Sequence, residues 1–121
     1  MWRCLCGAVR FAVTPSLRDV LICHCSQCRR WAGHVWAASA VPPDRLRLIR
    51  GETLRWFAAS PDADRGFCAS CGSSLFWRPA HGRHISFAAG ALDGLTGLRI
   101  GAQWCLTDAG DYYQTEREDD P

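Results

Sequence analysis

Seven of the eight cysteines in this chain of 121 residues fall into three tight groups, and that grouping constrains the fold more than any other feature. They are Cys4-Leu5-Cys6, then Cys23-His24-Cys25-Ser26-Gln27-Cys28, then Cys68-Ala69-Ser70-Cys71. Thiols so closely spaced either bind metal or pair as disulfides, and the cellular compartment decides which. The amino terminus, Met1-Trp2-Arg3-Cys4, lacks the apolar run of a signal peptide. No stretch approaches the roughly 20 apolar residues of a membrane helix. The expectation is therefore a cytoplasmic chain whose cysteines are metal ligands.

Zinc takes four ligands in a tetrahedron with Zn–S near about 2.3 Å, and a C-x-x-C or a sharply bent C-x-C supplies two of them from one turn. Gly7 and Gly72, each directly after a cysteine pair, give the backbone freedom such turns need. The simplest pairing puts Cys4, Cys6, Cys68 and Cys71 around one ion as a closed structural site. The competing reading is buried, reduced thiols with no metal.

The middle group differs because it offers three thiolates. If Cys23, Cys25 and Cys28 share an ion, its fourth position is open, which marks a catalytic zinc. A substrate thiol is the soft ligand that such a position favours. Two ions per chain are thus expected, the second more labile. Two alternatives stay open: closure by Cys105 or a histidine, and an empty cluster. Cys105 lies in the apolar run Gln103-Trp104-Cys105-Leu106, where a lone cysteine is more often core than ligand.

His24 stands between two candidate ligands, so its side chain is expected to point away from the ion. It then either supports the site, touches substrate, or is exposed. Arg29 and Arg30 directly follow Cys28. They either balance the thiolate charge or bind the carboxylates of an acidic thiol substrate. His34, His81 and His84 have no spacing that singles them out.

Composition adds exclusions. An apolar fraction of 48% and a charged fraction of 21% are those of one globular domain. The net charge of +2 is spread over dispersed arginines, without the concentrated basic face of a nucleic-acid or membrane-surface binder. The chain has no lysine, so Schiff-base chemistry has no side-chain amine to use.

Periodicity predicts a mostly β chain. Strands are expected at 8–13, at Val20-Leu21-Ile22, over 34–41, at Leu75-Phe76-Trp77, over 85–88 and over 98–106. Ser26 to Ala32 should form a short helix ended by Gly33. Leu46 and Leu48, with Leu54 and Trp56, alternate with arginines about Gly51-Glu52 and read as a hairpin. Ser60 to Gly66 reads as a loop. Trp31, Trp36, Trp56, Trp77 and Trp104 are most simply core, with one or two free to line a pocket. One zinc-binding domain is expected over 1–114, followed by an acidic, mobile tail over 115–121.

The order C-x-C-G-x-V-x-F, C-H-C-x-x-C-R-R, G-F-C-x-x-C-G-S-x-L, then Ile85 to Asp93 as I-S-F-A-A-G-A-L-D, closely resembles the glutathione-dependent formaldehyde-activating (GFA) family. The likeness runs from Cys4 to about Tyr113. It implies an Mss4-like fold of coiled antiparallel β-sheets with zinc-binding turns. It also implies a structural zinc on Cys4, Cys6, Cys68 and Cys71 and a catalytic-type zinc on Cys23, Cys25 and Cys28. The implied activity joins glutathione to formaldehyde, formally carbon–sulfur lyase chemistry. Members of this size often carry a histidine in the last strand, where this chain has Gln103-Trp104-Cys105; that keeps Cys105 open as a fourth ligand. The rival class is a non-catalytic zinc module that carries a small thiol or binds a protein partner. Oligomeric state is not legible.

Overall fold

The computed structural model describes residues 2–115. The acidic tail expected over 115–121 lies, but for Thr115, outside the described residues. Ten strands and one α-helix follow in order: β1 (Trp2–Arg3), β2 (Arg10–Val13), β3 (Val20–Cys23), α1 (Ser26–Ala32), β4 (Trp36–Val41), β5 (Leu46–Arg50), β6 (Leu54–Ser60), β7 (Ala63–Cys68), β8 (Ser74–Pro79), β9 (Ile85–Ala88) and β10 (Ile100–Trp104). The expected mostly β class is what is found. A three-stranded sheet has the order β1-β2-β5, and a seven-stranded sheet the order β10-β3-β4-β9-β8-β7-β6. All pairs are antiparallel except β3 with β10, which is parallel and sets Trp104 beside Cys23.

The main core draws on both sheets. Phe11 from β2 meets Phe76 from β8 edge to face at 5.0 Å between ring centroids, and Phe87 from β9 lies 5.8 Å from Phe11. Val9, Val41, Leu75 and the sulfurs of Cys4 and Cys68 complete it, all buried. Offset and edge-on ring pairs of this kind add to the burial of their apolar area. β4 is almost wholly covered, and its small residues Ala38, Ser39 and Ala40 let its neighbours close on both sides.

Several expectations need correction. The 46–56 hairpin does not form: β5 pairs with β2, and β6 pairs with β7. Alternation reports which face of a strand is covered, not which strand lies beside it. The 60–66 loop shrinks to a turn at Pro61-Asp62, and Asp64 and Arg65 belong to β7. A polar composition misled there because Arg65 is polar yet buried at 4% exposure. The last strand is shorter than 98–106, ending at Trp104 because Cys105 turns left-handed at φ 60. Trp104 is not core; its side chain is 58% exposed. The helix and its glycine stop are as expected, with Gly33 at φ 89 and its N–H donating to the Arg29 carbonyl.

Candidate metal centres

The first centre is made by two hairpin turns. Between β1 and β2, the Gly7 amide donates to the Cys4 carbonyl and the Cys4 amide to the Val9 carbonyl. Between β7 and β8, the Gly72 amide donates to the Cys68 carbonyl and the Cys68 amide to the Ser73 carbonyl. Gly7 at φ 82 and Gly72 at φ 81 hold a left-handed geometry that side-chain-bearing residues avoid. Each turn thereby aims two sulfurs at one point.

The four sulfurs of Cys4, Cys6, Cys68 and Cys71 lie within 4.8 Å of one another. Cys4 Sγ to Cys6 Sγ is 3.7 Å, and Cys6 Sγ to Cys68 Sγ is 3.8 Å. A tetrahedron with Zn–S of about 2.3 Å has an edge near about 3.8 Å, so the donor set and its spacing fit zinc. The Val9 amide faces Cys4 Sγ at 3.4 Å and the Thr53 hydroxyl faces Cys68 Sγ at 3.4 Å. The Ser73 hydroxyl, 3.2 Å from Cys71 Sγ, leads the contacts that hold that thiol down at about 5. Donors ranged around sulfurs are the setting thiolates need.

The second centre sits where β3 gives way to α1. Cys23 ends the strand, Cys25 is the N-cap, and Cys28 lies in the first turn of the helix. Cys25 Sγ accepts from the Cys28 amide at 3.3 Å, so a would-be ligand also caps the helix. The three sulfurs again lie within 4.8 Å of one another. Hydrogen bonding from Cys23 and the nearby Arg65 lower the Cys28 thiol, while that shared hydrogen bond and burial raise Cys23. Three thiols can therefore supply three donors to one cation.

Arg65, on β7, is the side chain that sequence reasoning missed. Its Nη2 donates to Cys28 Sγ at 3.4 Å and its Nε to Gln27 Oε1 at 2.7 Å. The guanidinium lies over the Trp31 ring, 4.8 Å from its centroid. Arg65 has no carboxylate within ion-pair distance; among the described residues the ion pair is Arg78 with Asp64. A buried cation demands a compensating anion, and the thiolate cluster is the anion on hand. The available signal was faint: an arginine two residues before Phe67 and three before Cys68.

The other candidates fall as follows. His24 does point away from the sulfurs and is buried, so it is not an exposed side chain. Its Nδ1 lies 2.6 Å from the Tyr113 hydroxyl and its Nε2 2.6 Å from Gln103 Oε1. Arg29 is half-buried and Arg30 exposed. Neither is among the residues lining the cavity of about 560 Å³ onto which Cys23, Cys25 and Cys28 open. Cys105 is exposed, and burial plus the nearby charge of Cys23 and Cys25 raise its thiol. It stands beside the cluster but outside the set of three close-packed sulfurs.

A β protein with one closed four-cysteine centre and a three-cysteine centre facing a cavity is a small cysteine-cluster protein able to hold metal at two places. The profile of the glutathione-dependent formaldehyde-activating enzyme family matches residues 2–106, and the chain belongs to that family. It is similar to an uncharacterized lyase of Schizosaccharomyces pombe, with 28% identity over 111 residues that cover 91% of this chain and 80% of the relative. It is also similar to a Rhodobacter sphaeroides protein of known crystal structure. That match has a TM-score of 0.65 and 26% identity, covering 84% of this chain and 97% of the other.

Proposed function

We propose that the chain is a zinc-dependent carbon–sulfur lyase acting on the adduct of a small thiol and an aldehyde. The observation that carries this is the second centre: three sulfurs within 4.8 Å, facing a cavity rather than a fourth close-packed ligand. The family match and the lyase-named relative support the same class of chemistry. The family name makes glutathione the first thiol to test, with formaldehyde as its partner.

Zinc held by Cys23, Cys25 and Cys28 would supply a Lewis-acid position at which a thiol loses its proton. Arg65 holds Cys28 in place and would offset the negative charge that the cluster carries once a metal draws off its thiol protons. Gln27 fixes the Arg65 fork, and His24 anchors the ligand loop to β10 and to Tyr113. In the addition direction the sulfur lone pair forms the C–S bond to the aldehyde carbon. The carbonyl pair moves to oxygen, which takes a proton from water. The lyase direction is the reverse. Arg29 and Arg30 remain candidates for a substrate carboxylate approaching from solvent.

Residues 1–114 act in this reading as one zinc-binding domain in the cytoplasm, where thiols stay reduced. No helix among the described residues is long and apolar enough to cross a membrane. The test is Cys25→Ala: it should abolish saturable acceleration of adduct formation while the first centre keeps its zinc. Full activity in that variant would refute the mechanism. One observation favours the rival, a non-catalytic module: Cys105 stands beside the cluster and could close it. Zinc per chain, before and after dialysis with a mild chelator and excess glutathione, separates the two. Loss of one ion marks an open centre; retention of both marks a closed one.

A further inference from the structure

The cavity beside the second centre is larger and more apolar than a one-carbon adduct requires. It measures about 560 Å³ and is walled by Leu21, Trp36, Ala38, Trp77, Pro79 and Trp104. A hydroxymethyl group would fill a small corner of it. Trp36 belongs to the small core cluster with Cys28 and Ala38, and Trp77 packs against it, but the fold does not call for a third indole at Trp104. Trp104 in particular leaves 58% of its surface in solvent although it lines this cavity. An indole in that position gains stabilisation when an apolar ligand covers it.

The charged side chains around the cavity are already engaged or stand in water. Arg65 is held through Nε by Gln27 and through Nη2 by Cys28, with Nη1 buried and unpartnered, and Arg18 donates to the carbonyls of Ala38 and Asp19. Asp62, Arg83 and His84 are exposed, where pairing with a ligand charge is screened and weak. Glutathione carries two carboxylates and an ammonium group, and of the enclosed charged side chains only Arg65 Nη1 is without a hydrogen-bond partner to meet one of them. An aromatic ring needs none.

We propose that this cavity selects thiols carrying an aromatic ring, with the ring packed on Trp77 and Trp104 and the sulfur directed at Cys23, Cys25 and Cys28. The proposal rests on the reading of the second centre as a thiol-accepting site and names its substrate class. It is tested on the full chain loaded with cobalt(II), whose thiolate absorption reports sulfur entering the coordination sphere without any turnover. Titrations with 2-phenylethanethiol, glutathione and 2-mercaptoethanol are compared for the native chain and for Trp104→Ala, a change at an exposed side chain that leaves the core intact.

The expected result is that 2-phenylethanethiol binds at least about tenfold more tightly than either other thiol. Trp104→Ala should remove roughly five- to tenfold of that affinity, as loss of one aromatic contact implies, and leave 2-mercaptoethanol within about twofold. Glutathione binding as tightly as the aryl thiol would overturn the proposal, as would an equal loss for both thiols in the variant. In either case the thiol-accepting reading survives, because sulfur still enters the cobalt spectrum. If no thiol perturbs the spectrum, the proposal and the reading beneath it both fail.

Discussion

Removing both β7–β8 turn ligands, Cys68→Ser with Cys71→Ser, tests the first centre most directly. Cys6 and Cys68 are 62 residues apart in the chain. A cross-link closing a loop of that length removes chain entropy worth about 4 kcal/mol at 25 °C. The substitutions themselves are nearly isosteric. Cys68 is fully buried, but a serine there would face the Thr53 hydroxyl that the sulfur now faces. Without a metal, the expected loss is about 1–2 kcal/mol, that of an imperfectly satisfied buried hydroxyl. With one, the cross-link is added, giving about 5–6 kcal/mol in all. Against a typical net stability of about 5–15 kcal/mol, that brings many domains close to unfolding. For a chain of this size the midpoint of thermal unfolding should fall by roughly 15 °C or more. The assay pairs calorimetry with zinc content by elemental analysis. A variant that keeps the native zinc content, or that loses only a few degrees, would refute the account of this centre as a metal cross-link between the two sheets.

Arg65→Met should weaken metal at the second centre by about tenfold or more, read as loss of one ion at lower chelator concentration, with the first centre unmoved. Arg65→Lys should not rescue it, since an ammonium cannot reach Gln27 and Cys28 at once. His24→Ala removes two short hydrogen bonds from a buried ring. It should cost about 2–3 kcal/mol and speed amide exchange in β10 and around Tyr113. Phe76→Ala, at a ring 1% exposed in the centre of the core, should destabilise by about 3–5 kcal/mol in denaturant titrations.

How much of this was legible in the sequence depends on the range over which each feature is determined. The cysteine pairs that converge were legible, because a C-x-C or C-x-x-C with a following glycine is a local device whose turn needs no partner to be inferred. The strand faces were mostly legible for the same reason; Phe11 alternates inward whatever lies beside it. The pairing of those strands was not. Leu48 and Leu54 alternate alike, and only the assembled sheets show that one faces β2 and the other β7.

The cavity was the least legible part, since its walls come from every strand of the larger sheet and from α1, brought together by long-range pairing. Arg29 and Arg30 drew attention because they adjoin Cys28 in the chain, while the cation that meets Cys28 in space stands 37 residues away. Adjacency along an α-helix explains why. The residue after a ligand turns about 100° away from it, so Arg29 and Arg30 leave the face that Cys28 presents. A strand crossing behind the helix can instead offer a side chain directly to the sulfur. Charge compensation at a buried sulfur such as that of Cys28 is thus a tertiary property. It is better sought among arginines that alternate inward on a neighbouring strand than among those beside the ligands in sequence.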